Sequence, residues 1–213
     1  MEKEIIQIQI ALFFANDFTG KYEDLSLNIK NKIGESSATM QLPIPIDSPS
    51  DIPRLTLNYE NFNINIAKNR IDFFTNNFTI NKSKISDIAE VILEKNLLKI
   101  GRLGFVKHFF VNNNFEYLKL LLPATKIANL NLKEAGIKIN SIKLINNFNC
   151  NNIENWANSK IKTKENIEKE GLIIIRDINT LSEEIENNTK KLDKSTINTL
   201  LDSFNNETEI LVF

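Results

Sequence analysis

Any polar chemistry in this chain has to be built from few side chains. A nucleophilic Ser-His-Asp or Cys-His arrangement needs an imidazole, and His108 is the one histidine among the 213 residues. It stands in the strand-like run Lys107-His108-Phe109-Phe110, where alternation places it on the face of Arg102, Val106 and Phe110. No carboxylate is near it in sequence to orient the ring, so a histidine at a sheet surface is the plainer reading. Cys150 follows Phe148 and Asn149 in an asparagine-rich stretch that reads as a turn, with no flanking base or helix start to lower its pKa. One histidine and one cysteine do not supply the three or four ligands of a zinc site, so no metal and no cofactor is expected. No glycine pair, Gly101 and Gly104 included, has phosphate-loop or dinucleotide spacing.

Carboxylate-based chemistry leaves one place to look. Arg176-Asp177 closes the apolar run Ile173-Ile174-Ile175, and acidic residues at strand ends can hold Mg²⁺ for phosphodiester cleavage when several converge. The same dipeptide can equally pair across a sheet. For an enzyme with an Arg/carboxylate site, Arg102, His108, Arg176 and Asp177 are the candidate ligand-binding residues, expected to converge in one pocket. Glu183, Glu184, Glu186, Lys190 and Lys191 read as a solvated face, and Trp156 as core or interface packing.

Composition narrows the partners. Lysine and arginine total 26 against 27 acidic residues, so no global basic field attracts a phosphate backbone. Only Arg54, Arg70, Arg102 and Arg176 are arginine, the side chain best shaped for bidentate phosphate or guanine recognition. Asparagine and isoleucine each occur 32 times, the signature of an AT-rich coding bias, so enrichment alone says little. The amino terminus alternates polar with apolar residues and lacks the cationic start and apolar core of a signal peptide. No stretch approaches the roughly 18 apolar residues of a membrane span. With one cysteine, no internal disulfide can form, and a cytoplasmic location is expected.

The elements that must position these residues are legible from periodicity. Ile6, Ile8, Ile10, Leu12 and Phe14 recur every second residue around Gln7 and Gln9, which predicts a strand with one wet face. Tyr22, Leu25, Ile29 and Ile33 follow a helical spacing, although Leu25, Leu27 and Ile29 also suit a strand; helix is the expectation. Pro43, Pro45, Pro49 and Pro53 confine the next stretch to a loop or an edge. Strands over 54–59, 62–67 and 70–75 follow at hairpin spacing, and then a helix capped by Ser83 with Ile85, Ile88, Ala89 and Ile92 on one face. The second half predicts a strand over 100–111, a helix over 115–122, strands over 137–146, 153–163 and 172–178, and a last helix over 195–204. The fold class is α+β: antiparallel sheets with helices on one face, in two tandem β-α-β-β-β-α halves, 1–99 and 100–213. Phe13-Phe14-Ala15-Asn16 and Phe109-Phe110-Val111-Asn112 close the first strands alike. Joined about a pseudo-twofold axis, such halves would form a saddle or one continuous curved domain.

Three stretches, Ile52-Pro53-Arg54-Leu55-Thr56-Leu57, Ile100-Gly101-Arg102-Leu103-Gly104-Phe105 and Arg176-Asp177-Ile178-Asn179, span most of the chain in order. Together they resemble a sporadically distributed family of uncharacterised prokaryotic proteins of about this size. The chain departs from it at the amino terminus, which lacks the proline-containing opening. The resemblance implies an accessory gene and transfers no activity. Three functions stand open: a non-catalytic binding or assembly module that self-associates as a homodimer; a nucleotide- or nucleic-acid-processing enzyme with an Arg/carboxylate site; and nucleic-acid binding on a curved sheet, which needs lysines gathered on one face.

Overall fold

The computed structural model describes residues 3–45, 47–94, 98–112, 136–162, 168–187 and 190–209. Alternation builds its framework. Strand β1 (Glu4–Phe14) turns Ile8, Ile10, Leu12 and Phe14 inward, and β6 (Ile100–Val111) turns Leu103, Phe105, Lys107 and Phe109 to the same side. The two pair antiparallel from Glu4 opposite Phe110 to Phe14 opposite Ile100, with register shifts near each end. One shift falls between Ile5 and Gln7, which leaves Ile6 40% exposed and removes it from the predicted apolar face.

Around this pair stand β2 (Ala38–Gln41), β3 (Leu55–Asn58), β4 (Phe62–Ile66) and β5 (Arg70–Thr75) on one side. On the other stand β7 (Gly136–Ile145), β8 (Phe148–Lys162) and β9 (Glu168–Thr180). Among the described residues the result is one nine-stranded antiparallel sheet in the order β2-β3-β4-β5-β1-β6-β9-β8-β7. The chain is α+β, and the predicted hairpins at Glu60-Asn61 and Lys68-Asn69 are present, with Tyr59 N–H bonded to Phe62 O and Ala67 N–H to Arg70 O. Strand β2 was not predicted; its four residues pair with β3 and lead into the proline loop.

Among the described residues, helices α1 (Tyr22–Ile33), α2 (Phe78–Glu94), α3 (Ser182–Glu186) and α4 (Lys194–Glu209) supply the second layer. Leu25 and Ile29 of α1, Ile85, Ile88, Ala89 and Ile92 of α2, and Ile197, Leu200, Leu201 and Phe204 of α4 close on the inward strand residues in one core. A second cluster of Phe109, Val111, Trp156, Leu172 and Ile174 extends it towards the far strands. None of the described helices is long and apolar enough to cross a membrane.

Several local expectations are corrected. Helix α2 begins at Phe78, one turn before Ser83, because Asn77 Oδ1 accepts the Ile80 N–H at 3.2 Å and serves as the cap. The asparagine-rich turn shrinks to Asn146 and Asn147, both at positive φ, while Asn149, Cys150, Asn151 and Asn152 belong to β8. Strand β9 continues to Thr180, so Arg176 and Asp177 lie within the strand and not at its end. Part of the acidic stretch after it forms α3, whose neighbour Lys190 bonds Glu184 at 2.9 Å. The predicted helix over 115–122 lies outside the described residues.

The cap reassignment has a direct test. Asn77→Ala should lower unfolding free energy by about 1 kcal/mol. Ser83→Ala, at an exposed position inside the helix, should change it by no more than about 0.5 kcal/mol, as read by urea denaturation.

Candidate functional site

Strand pleating divides the four predicted residues between the two faces of the sheet. On the helix-covered face, Arg176 is 2% exposed, Glu154 1% and Lys107 1%. Arg176 and Glu154 are direct cross-strand neighbours on β9 and β8, and the guanidinium Nη1 bonds the Glu154 carboxylate. The other carboxylate oxygen accepts the Trp156 indole N–H. Arg176 Nη2 reaches Asn152 Oδ1 at 3.0 Å and the backbone oxygen of Glu207 in α4 at 3.4 Å. Lys107 Nζ, on β6, bonds Asn205 Oδ1 at 2.9 Å and Glu209 Oε1 at 2.6 Å, and Lys3 reaches the other Glu209 oxygen at 2.9 Å.

Burial pulls the Arg176 and Lys107 pKa values below their ordinary ranges, against the opposing pull of Glu207 and Glu209 respectively. For Glu209, burial alone would raise the pKa, but hydrogen bonds from Lys107 and Lys3 bring it below the carboxylate range. These charges are matched by partners on the strands and α4. The arrangement anchors the last helix to the sheet, and Arg176 therefore has a structural partner for its charge.

The opposite face holds Arg102, His108 and Asp177. Asp177 is paired in register with Val106, between the rows of Gly104 and His108. Its charge is felt by both other candidates: burial lowers the His108 pKa while Asp177 raises it, and the same two causes act in the same order on Arg102. His108 stays neutral near pH 7 and has no hydrogen bond or ion pair among the described residues. Asp177 accepts from Asn179 Nδ2 at 3.0 Å, and Asn179 Oδ1 accepts from Asn151 Nδ2 at 3.1 Å.

Sequence reasoning missed the other half of this face. Phe13 of β1 stands directly between Arg70 of β5 and Arg102 of β6 in register. The Arg102 guanidinium carbon lies 3.8 Å from the Phe13 ring centroid, and that of Arg70 lies 5.6 Å away. Arg70 Nε bonds Asp72 Oδ2 at 2.8 Å, and Gln9 Nε2 bonds the other Asp72 oxygen at 3.0 Å. The signal was present: Phe13 shares the alternation of Gln7 and Gln9, an aromatic residue on the wet side of its strand.

Among the described residues, no three His, Cys, Asp or Glu side chains gather closely enough to hold a metal ion. Cavities of about 450, 390 and 410 Å³ lie along α1 and the loops around it, and none is lined by the four candidates. Phe109 and Trp156 are fully buried and Phe110 is 2% exposed, so none of them forms an external apolar patch. Cys150 is buried in β8, and burial together with Glu184 pushes its thiol up to about 12.

Two outcomes follow from these surroundings. Glu154→Gln strands the Arg176 charge and should cost about 3–5 kcal/mol in urea denaturation, with Glu154→Gln/Arg176→Met recovering much of the loss. Native protein should resist a thiol reagent at pH 8 and react with it at Cys150 only after unfolding. Set against known proteins, the chain matches no family model and no curated protein.

Proposed function

We propose that this protein is a non-catalytic binding and assembly module that self-associates as a homodimer through the outer edge of β7. The observation that carries the reading is that edge. The ten-residue β7 closes one side of the sheet, and its Ile142 and Leu144 are 66% and 65% exposed. Among the described residues no strand pairs with its outer edge, and a long strand with such an edge and exposed apolar side chains is a template for another strand. The opposite edge, β2, is four residues long and runs into the proline loop.

A second copy suits β7 by its charge pattern. Antiparallel pairing of two β7 strands about Ile142 sets Asn140 opposite Leu144 and Ser141 opposite Lys143, with no lysine facing a lysine. The contact is isologous and closes as a dimer.

The catalytic reading draws less support, because Arg176 faces away from Arg102, His108 and Asp177 and is engaged by Glu154. Nucleic-acid binding draws less as well, since the central strands β5, β1 and β6 bring no lysine to the face opposite the described helices. Duplication of the halves 1–99 and 100–213 about a pseudo-twofold axis, giving a saddle-like sheet, belongs to the same proposal. Its support is the strand order: outward from the β1–β6 pair, each half runs first strand, last strand, then the preceding strands in reverse. The family resemblance adds an accessory role in a prokaryotic cytoplasm.

Light scattering coupled to gel filtration tests the dimer. The wild-type chain should elute at twice its monomer mass, and Ile142→Lys should elute as a monomer with an unchanged circular dichroism spectrum. A wild-type chain that stays monomeric at high concentration overturns the proposal.

A further inference from the structure

We infer that Arg70, Phe13 and Arg102 form a binding site for a terminal phosphate group on the face of the sheet opposite the described helices. The three residues are consecutive cross-strand neighbours on β5, β1 and β6, so the sheet itself fixes their spacing. Both guanidinium groups converge on one ring, at 3.8 Å for Arg102 and 5.6 Å for Arg70. An arginine held over an aromatic ring keeps its planar fork in place before a ligand arrives, which reduces the ordering cost of binding.

The donors of this pair are only partly used. Arg70 gives its Nε–H to Asp72, and that carboxylate also takes Gln9. Arg102 makes no ion pair or hydrogen bond among the described residues, and its Nε is buried without a partner. A buried guanidinium N–H without an acceptor calls for one. Asp72 is ion-paired with Arg70, whereas Asp177, whose field reaches Arg102, makes no ion pair with it.

A terminal phosphate fits this geometry better than a diester. It offers three unesterified oxygens and up to two negative charges to two forks, whereas a nucleic-acid backbone needs a track of cations that the central strands do not provide. The site does not depend on the β7 edge and stands or falls separately from the dimer.

Calorimetric titration with inorganic phosphate and pyrophosphate tests the inference at low ionic strength. Saturable binding is expected, weakened at least tenfold in Arg102→Gln and not restored in Arg102→Lys. On the wild-type protein, the Arg102 Nε–H resonance should shift as phosphate is added, a readout that does not rely on a variant folding. Absence of saturable binding, or equal binding by a folded Arg102→Gln protein, overturns the site. Tighter binding of a single-stranded oligonucleotide lacking terminal phosphates, with the same dependence on Arg102, overturns the assignment to a terminal phosphate.

Discussion

The antiparallel pairing of β1 with β6 is the constraint on which the rest of the molecule depends. These strands lie next to each other in the middle of the sheet although their starts, Glu4 and Ile100, are nearly a hundred residues apart, so the closing entropy has to be repaid by a long ladder and the apolar side chains it buries. Once they pair, the meander β2–β5 can add only beside β1 and the meander β7–β9 only beside β6. The alternation of both strands then decides the two faces together: Ile8, Ile10, Leu103 and Phe105 go under the helices, and Gln9, Phe13, Arg102 and His108 go to the other side.

Those faces obey different electrostatic rules. Under α4, water is excluded, and each charge must meet a partner or impose a desolvation cost of several kcal/mol by order of magnitude. Arg176 with Glu154, and Lys107 with Glu209, satisfy that demand and in doing so tie the last helix to three strands. On the opposite face Asp72, 3% exposed, is ion-paired with Arg70, while Arg102 and Asp177 form no ion pair with each other. Arg102 and His108 share this face with Asp177 and feel its field without an ion pair to it.

The edges complete this division. The first half ends in a short strand followed by Pro43, Pro45, Pro49 and Pro53, residues that cannot donate a ladder hydrogen bond. The second half ends in a long strand with regular alternation and exposed isoleucine and leucine. One edge is thus unfavourable for strand addition and the other is receptive, an asymmetry on which the proposed dimer rests.

The sequence by itself determined the local elements, because period-2 and period-3.6 patterns report which side of a strand or helix meets the core. Strand β6 matches its prediction residue for residue, and α1 and the β3–β5 hairpins lie where spacing and turns place them. The bulge at Ile6, the early start of α2 and the strand continuing through Arg176-Asp177 depended on partners. Backbone pairing with β6, an asparagine cap and the ladder of β8 supply what a single strand's pattern does not contain. The site divides in the same way. Arg102, His108 and Asp177 could be chosen by residue type, and the common face of Arg102 and His108 by alternation. Only tertiary structure placed Arg176 in a buried ion pair and brought Phe13 between two arginines, because cross-strand register joins residues far apart in the chain and alternation within one strand says nothing about the next.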